Sequence, residues 1–247
     1  MAQYSLLSQP MAPPFPTGRF CDRVGSVNTT LLADGLAALN LQHDGYIFQR
    51  LLTYLGAIEE WNPVWGLVGA SGDELIIKHI LDSLAPLAHI DRLAAQVKSS
   101  GSRVSLVDLG TGAGLPGIPL AVARPGFDVT LLDRMTRRIR FLEAMQVALA
   151  LDNVDIVEEQ VERAKGSFDI VTFRAFRPFE RKLFKRVFSV CSPVGFVVAY
   201  KGKAEKVRSE LAEVDGLYES AEIVPVAVPF LDDERCIVVM RPAKRRA

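Results

Sequence analysis

The chain has 247 residues, 49% of them hydrophobic, with 29 basic side chains against 29 acidic ones. That is enough apolar material for one large domain or a domain with an extension, and zero net charge excludes binding of nucleic acid by overall charge, leaving that task to local clusters. Cys21, Cys191 and Cys236 stand far apart in no Cys-x-x-Cys or Cys/His spacing, which argues against a disulfide framework or bound metal and for a reducing, cytoplasmic setting.

Residues 1–27 carry Pro10, Pro13, Pro14 and Pro16 among small polar residues, which predicts a flexible Pro-rich arm. The arm lacks the charged and unbroken apolar regions of a secretory signal, and no run of about 18 apolar residues follows, so neither export nor membrane insertion is expected. From 28 to 98 the apolar positions recur at helical spacing, as in Leu31, Leu32, Leu36 and Leu39, then Leu51, Leu52, Leu55 and Ile58, then Leu75, Ile76, Ile80 and Leu84. These predict an N-terminal extension of three or more helices, with His79, Trp61 and Trp65 as packing residues.

At 99–247 the pattern becomes that of an α/β domain, expected to pack as one unit with the extension. Strands are predicted at 104–108, 127–132, 154–158, 168–173, 194–200, 220–227 and 235–241. Helices near 116–124, 134–150, 178–190 and 203–215 alternate with them, which implies a doubly wound, mostly parallel sheet. The last two strands are too close in sequence for a crossover helix, so they should pair antiparallel at one edge.

Such sheets bind ligands beyond the carboxyl ends of their strands, at the point where strand order reverses. The segment Asp108-Leu109-Gly110-Thr111-Gly112-Ala113-Gly114 falls there. Glycines let the backbone adopt positive φ and approach a ligand closely. Dinucleotide sites use G-x-G-x-x-G, whereas Gly110, Gly112 and Gly114 are spaced G-x-G-x-G. Asp108 would repel a pyrophosphate but suits the ammonium of a methionine moiety, which points to S-adenosylmethionine. Asp133, ending the second strand, is placed to accept hydrogen bonds from ribose hydroxyls, a role it could also play toward NAD.

DLGTGAGLPGIPLA at 108, LLDRMTRRIRFLE at 131, Arg174-Ala175, Lys201-Gly202 and VPFLDDERCIVVM at 228 together resemble the RsmG (GidB) family, as do Glu60-Trp61-Asn62 and KHILDSL at 78 upstream. The resemblance covers about 45–241. It implies a Rossmann-like class I S-adenosylmethionine-dependent methyltransferase fold with a seven-stranded sheet, mostly parallel with an antiparallel edge strand. The implied activity is methylation of guanine N7 in 16S ribosomal RNA, with that RNA or the small ribosomal subunit as partner and a monomer as the working state.

The glycine turn and the resemblance together give Asp108, Gly110, Thr111, Gly112, Gly114, Leu115, Asp133, Val161, Glu162 and Arg174 as the cofactor-binding set. The family places Arg174 near both cofactor and RNA, and matches Arg137, Arg138 and Lys201 to basic positions tied to substrate binding or activity. The chain departs from the family pattern at Pro63, Gly66, Val68, Gln160, Phe173 and Cys236, all on the substrate side.

Guanine N7 carries a lone pair and no proton, so attack on a sulfonium methyl needs alignment and electrostatic tuning rather than a general base. Arg174 and Lys201 are therefore expected to position the substrate, and phosphates are assigned to local basic clusters. One cluster is Arg134, Arg137 and Arg138. The other is Arg177, Arg181, Lys182 and Lys185, with Lys201 beyond it. On a helix at 178–190, Arg181 and Lys185 are four apart and share a face, with Leu183, Phe184, Val187 and Phe188 turned inward. A small-molecule methyltransferase and a non-catalytic RNA-binding or assembly module with the same fold are the alternatives that the residues leave open. Methyl transfer onto RNA separates the first reading from these two.

Overall fold

A computed structural model describes residues 27–41, 45–97, 102–174 and 178–243. The predicted Pro-rich arm falls almost wholly outside the described residues, as do Arg177 and the basic run 244–246. The extension comprises α1 (Thr29–Ala38), α2 (Gly45–Trp65), a helical rod made of α3 (Gly72–Leu75), a π-helical stretch (Ile76–Leu81) and α4 (Asp82–Leu84), and then α5 (Leu87–Val97). Asn28 caps α1, its Oδ1 accepting from the Leu31 amide at 3.0 Å.

Beyond them β1 (Val104–Leu109), α6 (Gly117–Ala123), β2 (Phe127–Asp133), α7 (Thr136–Ala148), β3 (Val154–Glu158) and β4 (Phe168–Arg174) follow in order. The chain continues through α8 (Arg181–Val190), β5 (Cys191–Lys201), α9 (Ala204–Glu213), β6 (Tyr218–Pro225) and β7 (Cys236–Pro242).

The sheet order is β3-β2-β1-β4-β5-β7-β6. The first five strands in sequence are parallel, and β7 runs antiparallel to both neighbours. The reversed strand therefore sits one place in from the edge. β6 takes the edge itself and points the same way as β5, because the short β6–β7 connection lets the chain double back into the gap. Strand order reverses between β1 and β4, which locates the ligand crevice.

Alternation along each strand divides the interior in two. Leu106, Val129, Leu131, Ile170, Phe196, Val198 and Tyr200 face the layer of α1, α2, the 72–84 rod, α5, α6 and α7. Val107, Leu109, Phe173, Val197, Ala199, Val238 and Met240 face α8 and α9. The first cluster runs without a break from Leu32 and Leu36 of the extension to Val198 of the sheet. Trp61 packs edge-on against Trp65 and Phe141, with centroids 4.8 and 5.5 Å away, in agreement with its reading as a packing residue. Among the described residues no helix is long and apolar enough to cross a membrane.

Candidate active site

The glycine turn leaves the C-terminal end of β1 with φ of +69° at Gly110, +64° at Gly112 and +94° at Gly114. All three lie in the left-handed region, which explains why glycine recurs at every second position. Gly110 and Thr111 donate their amides to Leu132 O at 2.8 and 3.0 Å, tying the turn to β2. A Cβ on Gly112 would meet nothing nearer than the Arg138 guanidinium at 3.9 Å, so this part of the turn presents bare backbone outward. Gly114 and Gly117 are closed instead. A Cβ there would lie 2.5 Å from Ile118 Cδ1 and 2.2 Å from Leu131 Cδ2.

Asp108 points into the helical layer and is fully buried. Its Oδ2 accepts from the Thr111 hydroxyl at 2.6 Å and the Gly117 amide at 2.8 Å, so it braces both arms of the turn. Its Oδ1 has no partner among the described residues. Burial pushes the Asp108 carboxyl up to about 6, against the opposing effects of the Thr111 and Gly117 bonds and the Arg174 cation. Leu115 is buried beneath the turn, as part of the core.

Asp133 closes β2 beside the turn. Its Oδ2 accepts from the Gly112 amide at 2.9 Å and pairs with Arg138 Nη1 at 3.2 Å, while Oδ1 accepts from the Met135 amide at 2.9 Å. This carboxylate orients the turn and faces its open glycine. Val161 is buried and Glu162 exposed, on a single 3-10 turn after β3.

Arg174 ends β4 on the face covered by the extension. Its Nη1 donates to Lys78 O at 2.9 Å and to Asp82 Oδ2 at 3.0 Å, and its Nη2 lies 2.7 Å from His79 Nδ1. The π-helical stretch makes this docking feasible: the Asp82 amide bonds Ile77 O and His79 O, passing over the Lys78 carbonyl that an α-helix would use. Asp82 also pairs through Oδ1 with Arg235 Nε at 3.2 Å. Burial first, and the Arg174 cation second, hold His79 down at about 4, so the imidazole is neutral at pH 7 and accepts from Arg174. Nearby, the Tyr200 hydroxyl donates to Ser83 O at 2.8 Å, and the Tyr54 hydroxyl to Ala113 O at 2.6 Å within the glycine turn.

The structure thus brings Asp108, Gly110, Thr111, Gly112, Gly114, Asp133, Arg138 and Arg174 together around the β1–β4 switch point. Lys201 sits at the end of β5, but its ammonium pairs with Glu210 Oε2 at 2.5 Å and lies 4.1 Å from the Phe179 ring centroid. The basic residues of α8 disperse. Arg181 donates to Asp215 O at 2.7 Å and Arg186 to Glu162 O at 2.9 Å, while Lys185 lines a groove at the opposite end of the sheet with Gly166, Cys191 and Gly216. Arg134, Arg137 and Lys182 are exposed.

Sequence reasoning missed Tyr54, Asp82 and Arg235, and gave His79 only a packing role. A signal was present: His79 and Asp82, three apart, are polar residues on the buried side of a helix otherwise lined by Ile76, Ile80 and Leu81.

The family model described as GidB, rRNA small subunit methyltransferase G, matches residues 47–238. A ribosomal RNA small subunit methyltransferase G of Nitrosococcus oceani is 34% identical over 222 residues, covering 89% of this chain and 97% of the relative. That of Klebsiella pneumoniae is 36% identical over 203 residues, covering 79% and 89%. In fold, the crystal structure of magnesium protoporphyrin IX methyltransferase from Synechocystis PCC 6803 superposes with a TM-score of 0.52 at 16% identity, covering 86% of this chain and 96% of that one.

Proposed function

The chain belongs to the rRNA small subunit methyltransferase G family, and on that premise we propose that it transfers a methyl group from S-adenosylmethionine to N7 of a guanine in 16S ribosomal RNA. The observation that carries this reading is the open glycine turn flanked by two carboxylates at the switch point of a parallel sheet, with a third charged centre, Arg174, one strand away.

The residues fit the cofactor. Gly112 offers backbone with no side chain in the way, and Asp133 lies against it in reach of a ribose edge. The unpartnered Oδ1 of Asp108 is a buried acceptor beneath the turn, suited to a cationic amine or to a water linked to one. Val161 and Glu162 would border the adenine. When bound, the cofactor supplies an electrophilic methyl group on a sulfonium.

The chain's own task is then alignment. Guanine N7 has no proton to lose, and a neutral His79 and a carboxylate-paired Arg174 stand beside the crevice. The reaction leaves a positive charge on the base, which Asp82 and the other nearby carboxylates tolerate better than an unpaired cation would. Arg174 orients the substrate side while fastened to the extension. Arg134, Arg137 and Lys182 would take phosphates, which position RNA without reading its sequence.

The test is transfer of labelled methyl from S-adenosylmethionine to small ribosomal subunits from cells lacking this gene, followed by nucleoside mapping. Label recovered as 7-methylguanosine in 16S RNA is the expected result. Tight cofactor binding with no label in any ribosomal RNA would overturn the substrate assignment and favour a non-catalytic RNA-binding role.

A further inference from the structure

Beyond the ends of β5 and β7, one strand further from the glycine turn than Arg174, lies a cavity of about 210 Å³. It is well below the roughly 300 Å³ at which pockets for drug-sized ligands begin, and suits a single planar heterocycle. Asp82, Arg174, Tyr200, Val226, Arg235 and Cys236 form its walls.

The polar wall is unusual for its depth. The Asp82 side chain is 10% exposed, held between Arg174 at 13% and Arg235 at 24%. A buried ion triad often stabilises a fold no better than apolar packing would, and this one stands in the wall of a cavity. Each Asp82 oxygen accepts from one guanidinium, and a carboxylate has about four lone-pair sites, so acceptor capacity is left over. The neighbouring donors do not compete for it. Tyr200 is committed to Ser83 O and the Cys236 thiol to Gly202 O at 3.1 Å.

We propose that this cavity seats the acceptor guanine and that Asp82 reads its Watson–Crick edge; the inference rests on the guanine reading given above. Guanine presents two adjacent donors, N1–H and the 2-amino group, beside the O6 acceptor. A carboxylate accepts from both donors, and the Arg235 guanidinium at its side can donate to O6. Adenine presents a lone pair at N1, which the carboxylate repels. Holding this edge leaves N7 uncovered on the other side of the ring, free to face the crevice at β4 and β1. The base must leave its stack to enter, as in other enzymes that act on a single base.

The experiment uses the full chain saturated with S-adenosylhomocysteine and titrated with GMP, IMP and AMP, with binding followed by NMR shifts. GMP should bind about tenfold or more tightly than AMP, the discrimination of one good bidentate contact. IMP, which lacks the 2-amino group, should fall between them. Asp82→Asn should erase the preference while S-adenosylhomocysteine affinity stays nearly unchanged. Val226→Phe, which fills the cavity from an uncharged wall, should abolish GMP binding and methyl transfer with cofactor affinity retained.

Absence of saturable GMP binding by the wild type, equal affinity for GMP and AMP, or a preference that survives Asp82→Asn overturns the proposal. Labelling of guanine N7 on the subunit without base preference in the titration sinks the pocket alone. Base preference without N7 labelling sinks the proposed reaction alone.

Discussion

Asp108, fully buried, and His79, half-buried in the helical layer packed over the same face of the sheet, titrate in opposite senses. Asp108 moves from an ordinary value of about 3.9 in the unfolded chain up to about 6 when folded. The native state therefore holds a proton that the unfolded chain has released, and stability falls as pH rises from about 4 to about 6. His79 moves down from 6.5 to about 4, so the unfolded chain binds the extra proton and stability rises over much the same interval. The two trends offset one another in the wild type. Asp108→Asn should therefore give a protein whose stability, relative to wild type, climbs by up to about 3 kcal/mol between pH 4 and 6. Urea titrations at several pH values would check this, and parallel curves for variant and wild type would refute it.

The glycines differ in the same concrete way. Gly112→Ala meets open space and should cost about 1–2 kcal/mol for its left-handed backbone, with a larger loss in cofactor affinity. Gly117→Ala forces a Cβ against Leu131 and Asp108 and should cost about 1–3 kcal/mol in overpacking, with more if Asp108 loses its brace. Melting curves alongside cofactor titration separate the two. The glycine spacing and Asp133 were legible in the sequence because β-strand alternation places them. The depth of Asp108 was not, since it depends on which helices cover that face.

At the scale of elements, α2 reaches the cofactor turn through one hydroxyl. Tyr54→Phe removes the bond to Ala113 O and leaves a buried carbonyl unpaired, a loss of about 1–3 kcal/mol, and should loosen cofactor binding with no change in any residue of the turn itself. Calorimetry on the variant decides it. Helix α8 illustrates what an amphipathic pattern can and cannot convey. Leu183, Phe184, Val187 and Phe188 are buried as their spacing predicts, and the cations do lie outward. Their partners, Asp215 O and Glu162 O, come from other elements and leave no trace in the local pattern. Lys182→Ala should lower the salt slope of RNA binding by about one, whereas Lys185→Ala, at the far end of the sheet, should leave it unchanged. Filter binding across a salt series distinguishes them, and equal slopes for both variants would make the outer side of α8 a solvated face with no part in RNA binding.

In the whole molecule, the extension and the sheet share one core; Tyr200 and Ala113 are each fastened to the extension by a buried hydrogen bond, and Arg174 by partly buried ones. A fragment covering only 102–243 should therefore fail to fold cooperatively, and a calorimetric scan without a transition is the expected outcome. Alternation of strand and helix made the parallel sheet readable, and strand limits fell within about three residues of those observed. The place of β7 was less accessible, because a short connection establishes antiparallel pairing without saying which of two strands takes the edge.

That placement has a consequence for the order of synthesis. β7 leaves the ribosome after β6 but must be inserted between β6 and β5, so β5 waits with its hydrogen-bonding edge bare until the final strand is complete. Arg235 and Cys236, which wall the base cavity, arrive with that strand. A nascent chain still threaded through a ribosome thus has its cofactor turn in place but only half of its substrate wall. The base cavity is complete only once β7 has paired between β5 and β6.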